Sequence, residues 1–436
     1  MRQQCFGKSV SYALFVLTSV MALCAQTATP TIVAPGLPAE FPEKEKPKPQ
    51  TFAAGLTLTT DFDDNALNNN RNNQYNTLTV FAPHVGWSLF RARYDWKLEY
   101  EQGFSVSRPI TAYNSRSRML GTSLEFKISK RLVFHARESL LETNNPFDRL
   151  VGSEIGPGTT VVDRPNSSIL VPAQTSTQHA ELDMEYALGP HSTISTVGSF
   201  FNVTRSALAG AEGLGDTRSA SGHMVYSRQI RRRRWVGLDY GVEKLTSRNP
   251  GSAAFVQSLA YTETLGLTPN SVLSIAGGPE RTVMHDGSFF LFPPNGDSHG
   301  HSTWNWAGSA TYYRSAGPNT LLTSYSRRIS NGEGLLGIVR VSTLSMQLQN
   351  RISRGWYTNL LASYDREKTA NFTPSGLSFV SAAGGIRHTL SPNLSLEFLY
   401  WRIHELLSGP GPDGLHADHN RLSLSLTYNL TEMIGK

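Results

Sequence analysis

The sequence predicts an all-β protein, a single antiparallel transmembrane β-barrel of about 18 strands (16–20). Three observations carry this. Hydrophobic side chains beyond Thr51 recur with a period of two rather than 3.6. The alternating segments run roughly 10–14 residues, which suits a tilted bilayer crossing better than the shorter strands of a soluble sandwich. Short turns also alternate with long polar stretches, as the two ends of a membrane barrel require.

The chain has 436 residues, with 39% hydrophobic and 17% charged residues, which excludes a collagen, an acidic tail protein and a disulfide scaffold. Arg2 and Lys8 precede an uncharged run from Ser9 to Ala25 rich in Leu, Val, Ala and Met, so residues 1–25 read as a secretory signal peptide. Removing it takes Arg2 and Lys8 from 40 basic residues and none from the 34 acidic ones, leaving a balance of about +4. It also removes Cys5 and Cys24, the only two cysteines, which excludes thiol catalysis and thiolate metal sites in the mature chain. Residues 26–50 are rich in proline and alternating charge and read as a periplasmic linker; residues 51–436 form the barrel.

The strands follow from their alternation. Tyr94, Trp96, Leu98 and Tyr100 alternate with Arg93, Asp95, Lys97, Glu99 and Glu101. Leu120, Thr122, Leu124, Phe126 and Ile128 alternate with Gly121, Ser123, Glu125 and Lys127. Ala180, Leu182, Met184, Tyr186 and Leu188 alternate with Glu181, Asp183 and Glu185. In 421–430, Leu422, Leu424, Leu426, Tyr428 and Leu430 oppose Ser423, Ser425, Thr427 and Asn429. Tight turns are expected near Leu89–Arg91, Ser129–Arg131, Gly189–His191, Ile230–Arg233, Thr268–Ser271, Gly317–Asn319, Ser353–Gly355 and Ser391–Asn393. Longer stretches at 63–74, 143–175, 204–217, 285–301 and 407–418 fall between them. One strand on each side of every tight turn, with an opening strand at 51–62 and a closing one at 419–430, produces the count. An even number leaves both termini in the periplasm. Trp87, Trp235 and Trp356 near short turns, with Trp304, Trp306 and Trp401 towards the other end, suggest aromatic girdles.

Polar residues on the wet faces predict a hydrated lumen with a mixed lining and weak charge selectivity: Arg93, Asp95, Lys97, Glu99, Glu101, Glu125, Lys127, Glu181, Asp183 and Glu185. Residues 143–175 are the candidate constriction loop, through Phe147, Asp148, Arg149, Asp163 and Arg164. Two polar stretches gather His285, Asp286, Asp297, His299 and His301, and His404, Asp413, His416, Asp418 and His419, groups that could bind a metal or hydrolyse a substrate but that read more simply as solvated loops. Gly409, Gly411 and Gly414 satisfy GxGxxG without a following helix, which argues against a dinucleotide site. The arginines at 231–234 sit in a turn beside Trp235, where lipid phosphate is a simpler partner than nucleic acid. The reading contains no catalytic residue, metal or cofactor.

The segments 82–104, 129–147, 231–245 and 421–430 (RLSLSLTYNL) resemble the bacterial outer-membrane porins encoded with exopolysaccharide systems, along most of 51–430. The resemblance implies an outer-membrane barrel inserted by the barrel assembly machinery, with lipid and a small polar solute or a polysaccharide as partners. It departs from the pattern in continuing beyond Tyr428 and Leu430 through Thr431–Lys436. The expected function is a channel for small polar solutes; a polysaccharide export conduit, a surface hydrolase embedded in the barrel and a plugged structural barrel are the alternatives.

Overall fold

A computed structural model describes residues 50–66, 70, 73–111, 114–143, 173–207, 216–248, 251–286, 301–330, 338–369, 376–408 and 415–434. Residues 1–25, expected to be a signal peptide, and nearly all of the proline-rich segment lie outside them. Eighteen antiparallel strands form one sheet: β1 (Gln50–Asp63), β2 (Asn76–Phe90), β3 (Tyr94–Arg108), β4 (Ser115–Lys127), β5 (Leu132–Thr143), β6 (Ala173–Gly189), β7 (Ser192–Ala207), β8 (Thr217–Arg231), β9 (Arg234–Arg248), β10 (Gly251–Thr268), β11 (Ser271–Asp286), β12 (His301–Ala316), β13 (Asn319–Ser330), β14 (Val339–Ser353), β15 (Trp356–Thr369), β16 (Gly376–Ser391), β17 (Leu394–Ser408) and β18 (Leu415–Ile434). Each strand pairs with its neighbours in sequence, and β1 pairs with β18 from Gln50↔Ile434 to Asp63↔Arg421. The sheet is therefore a closed barrel. Closure matters because an unpaired backbone group in hydrocarbon costs several kcal/mol.

The strands are 12 to 20 residues long, enough to cross a bilayer while tilted. All eight predicted turns are present as connections of two to four residues at one end of the barrel. Gly317 (φ 58°) and Gly355 (φ 85°) occupy left-handed backbone positions in two of them, which glycine adopts without steric cost. The opposite end carries the longer connections, of which 144–172 and 287–300 are the longest. One differs: β9 and β10 are joined by 249–250 alone.

The two faces of the wall are chemically distinct. Leu422, Leu424, Leu426, Tyr428 and Leu430 are 38–50% exposed, and comparable apolar residues recur on every second position of the other strands. On the alternate positions lie hydroxyls and charges, many of them buried, which places these on the inside. Hydroxyl pairs brace this inner face across strands: Thr59–Ser425 at 2.9 Å, Thr193–Ser227 at 2.7 Å and Ser199–Ser221 at 2.8 Å. Leu424→Arg puts a cation on the outer apolar band; destabilisation by about 2–4 kcal/mol is expected, read from the urea midpoint of the barrel in lipid vesicles.

Candidate functional site: the inner wall and an inward-leaning hairpin

β3 to β6 carry most of the inner charges expected from the sequence. Asp95, Lys97, Glu99 and Glu101 alternate with the apolar face of β3, and Asp95 is in register with Glu125. Glu125 meets Lys127 at 3.3 Å and His135 at 4.0 Å. His135 is in register with Asp183, and Arg137 with Glu181, whose charged atoms are 3.8 Å apart. Glu185 follows on the same face of β6. Arg93 differs: it lies in the turn 91–93, where its carbonyl accepts the Lys127 N–H at 2.7 Å, because the strand starts one residue later than the alternation suggests.

The remaining strands add carboxylates that sequence reading passed over. Asp61 and Asp63 stand on β1, Asp239 and Glu243 on β9, Glu280 on β11, Asp365 and Glu367 on β15, and Glu405 on β17, all buried. Among the described residues, carboxylates outnumber cations on the inner face. Many cations are on the outside instead: Arg108, Arg116, Arg218, Lys244, Arg281 and Arg366 are exposed outer-face residues near the long-loop ends of their strands. A lipid leaflet bearing phosphate suits them there.

The end of one hairpin departs from the wall. β12 pairs with β13 only from Ala316↔Asn319 to Gly308↔Arg327, although it pairs with β11 up to His301. Beyond Arg327, β13 continues with β14 alone, through Ile329↔Arg340 and Ser330↔Val339. Alternation from Tyr325, which is 42% exposed, places Ile329 on the outer face, yet Ile329 is 1% exposed. It packs with Ile338 against Leu245, Ala254, Val256 and Met284, which belong to the inner wall of β9 to β11. Arg340 donates from Nη2 to Asn305 Oδ1 on β12. The end of the β13–β14 hairpin therefore leaves the wall and leans into the lumen. Trp304 and Trp306, on the stretch of β12 that the hairpin leaves behind, are 70% and 73% exposed.

Beneath the hairpin is a cavity of about 40 Å³, lined by His223, Asp239, Glu243, Glu280, Arg328 and Ile329 among others. His223 Nδ1 and Asp239 Oδ1 are 2.9 Å apart and both residues are buried. A methyl group at Gly241 would run into the His223 ring, so glycine is what lets the imidazole lie flat on β9. The Ile329 N–H donates to the Glu280 carboxylate, joining the hairpin to the wall. A signal for this site was available: in GLDYGVEKL, Asp239 and Glu243 alternate with glycines on one face, a pattern for small and acidic groups beside a filled space.

The histidine-rich groups are not assembled as one centre. Of His285, Asp286 and His301 only the backbone is described, and Asp297, His299 and Asp413 lie outside the described residues, as do Phe147, Asp148, Arg149, Asp163 and Arg164 of the expected constriction and Gly409, Gly411 and Gly414. His404 and Asp418 pair at 3.0 Å on the outer face, with Arg402 at 2.9 Å from the same carboxylate. His419 faces inward instead, fully buried, 3.3 Å from Asp63. His416 is exposed. Among the described residues, no three ligating groups converge on one point. The last charged pair inside this region joins Arg421 to Asp61 at 2.5 Å, across the seam between β18 and β1. Two of the expected girdle tryptophans are also relocated. Trp235 and Trp401 are buried at 8% and 7% exposure on inner positions, whereas Trp87 and Trp356 stand outside and Trp356 stacks on His388 at 4.1 Å.

No protein-family model matches the chain, and no curated protein matches it. Among solved structures it is similar to OpdQ of Pseudomonas aeruginosa, at 11% identity over 88% of this chain and 99% of that one, with a TM-score of 0.44. It is similar also to OccAB4 of Acinetobacter baumannii, at 9% identity over 89% and 99%, with a TM-score of 0.45. The siderophore receptor PirA of Pseudomonas aeruginosa matches at 10% identity over 88% and 81%, with a TM-score of 0.39. A sheet of 18 strands closed on itself, apolar outside and polar within, meets the physical demands of a bilayer with no helix involved. The protein is a closed 18-stranded antiparallel β-barrel whose outer surface is matched to a lipid bilayer.

Proposed function

We propose that the protein is a cation-preferring channel for small polar solutes, acting by diffusion and without covalent chemistry. The observation that carries this is the excess of carboxylates on the inner face of a closed barrel. A wall of fixed negative charge concentrates cations in the water beside it and repels anions. Asp95, Glu99, Glu101, Glu125, Glu181, Asp183 and Glu185 supply one arc of that wall, moderated by Lys97 and Lys127. This departs from the weak selectivity expected from three strand segments alone, because the acids of β1, β9, β11, β15 and β17 tip the balance.

The inward hairpin favours small solutes over the polysaccharide that the exopolysaccharide resemblance implies, since it takes up space inside the barrel beside the β9–β11 wall. In a planar bilayer under a potassium chloride gradient, the reversal potential is expected to favour potassium over chloride by roughly two- to tenfold. The triple substitution Glu181→Gln, Asp183→Asn and Glu185→Gln should bring that ratio towards unity. Chloride preference in the unmodified chain would overturn the proposal.

A further inference from the structure

Glu243 is a buried carboxylate on the inner face of β9. It is 4% exposed, and its Oε1 has no hydrogen-bond partner. A buried carboxylate in that condition is costly, so it is retained where something of opposite charge comes to it. Glu280, 4% exposed, lines the same cavity from the next strand but one, and Asp239 and His223 lie at its floor. Arg328, which the hairpin brings in from outside the β9–β11 wall, lines the cavity and its charge acts on both Glu243 and Glu280; Arg340 and Arg327 act on Glu280 as well. Arg328 comes to line this cavity because β13 leaves β12 after Arg327.

We propose that Glu243 and Glu280 form a binding site for the guanidinium or primary ammonium group of a solute, and that Arg328 is an internal occupant which such a solute displaces. The proposal rests on the channel reading and deepens it. A planar guanidinium offers several donors at once and suits two neighbouring carboxylates, of which Glu243 has an oxygen without a hydrogen-bond partner. A metal ion fits less well, because no three ligating groups converge there among the described residues. Arg328 lines the same cavity as the two carboxylates, so a cationic solute bound to them competes with Arg328 for one place. An occupant held on the same chain lowers the apparent affinity for the solute by the fraction of time it fills the site. Displacement would also free the hairpin's charged anchor on the wall.

The test uses the refolded chain in detergent micelles, with heat-dependent electrophoretic mobility confirming that each variant is folded, and titration calorimetry with agmatine, which carries a guanidinium and an ammonium group. Succinate serves as the comparison solute. Agmatine is expected to bind and succinate not to. Glu243→Gln and Glu280→Gln, which preserve shape and remove charge, should each weaken agmatine binding by about tenfold. Arg328→Ala should tighten it, which a general electrostatic attraction to the lumen would also do; for that reason Arg137→Ala, a cation removed from the β5 wall, is measured beside it and should have a much smaller effect. Equal effects of Arg328→Ala and Arg137→Ala, unchanged binding in both glutamine variants, or no binding at all would overturn the proposal. Bilayer conductance on the same preparation separates the two readings: binding in the expected pattern without current supports the site and overturns the channel, whereas current without binding does the reverse.

Discussion

Cutting the β13–β14 hairpin back, so that a short glycine-serine turn joins Arg327 to Ser342, is expected to raise single-channel conductance by about two- to fivefold. Residues 328–330 and 338–341 hold the part of the chain that leans inward, and Ile329 and Ile338 are the apolar side chains seated on Leu245, Ala254, Val256 and Met284. The barrel below Gly308↔Arg327 keeps its complete ladder, so the cut removes an obstruction without opening the wall. Single-channel recording in a planar bilayer measures it. Ile329→Asp is the smaller version: a charge placed in that apolar contact should unseat the hairpin, giving a noisier and larger open current. Unchanged conductance in both variants would mean that the narrowest point of the lumen lies elsewhere.

The second large effect concerns stability. Arg421 and Asp61, 7% and 6% exposed at their side chains, meet at 2.5 Å across the seam where the last strand joins the first. Removing one member of a buried pair leaves the other charged and unsolvated, at a cost of about 3–5 kcal/mol, whereas replacing both with apolar groups is often neutral. Arg421→Leu alone should therefore lower the urea midpoint markedly, and so should Asp61→Leu. The double variant should recover most of the loss. Midpoints are measured by fluorescence in lipid vesicles, and a double variant no better than the worse single one would show that the pair is not the source of the effect.

Most of the architecture could be read in advance because lipid permits so few solutions. A two-residue period, long strands and turns rich in glycine and polar residues are imposed by the bilayer all along the chain, so β3, β4, β6 and β18 and all eight short turns were legible in local sequence. What escaped was information that is not local. Trp235 turns inward because it shares the parity of Asp239 and Glu243 and pairs with Gln229 in the same continuous register, which nearness to a short turn does not reveal. Arg93 was misassigned by a single residue for a similar reason: alternation continues in the letters where the backbone has already begun to turn. The inward hairpin was beyond reach altogether, since Ile329 and Ile338 look like ordinary outward residues until they are set beside Leu245 and Val256, far away in the chain. The inner acids of β9 were visible as an alternation with glycine, but their importance depends on the arginine that arrives from β13.

The stretch of β12 above Gly308 gives the hairpin a second resting place built from the same atoms. Its paired edge towards β11 runs on to His301, while among the described residues its other edge has no strand beside it. Continuing the existing register would set Ala307 against Arg328 and Asn305 against Ser330. In that arrangement the hairpin would exchange packed apolar side chains and the placement of Arg328 beside the wall carboxylates for a run of main-chain hydrogen bonds. Burial of apolar surface weakens on cooling, whereas main-chain pairing does not share that dependence. The balance between a leaning and an upright hairpin should therefore shift with temperature, and the cold barrel should be the wider one.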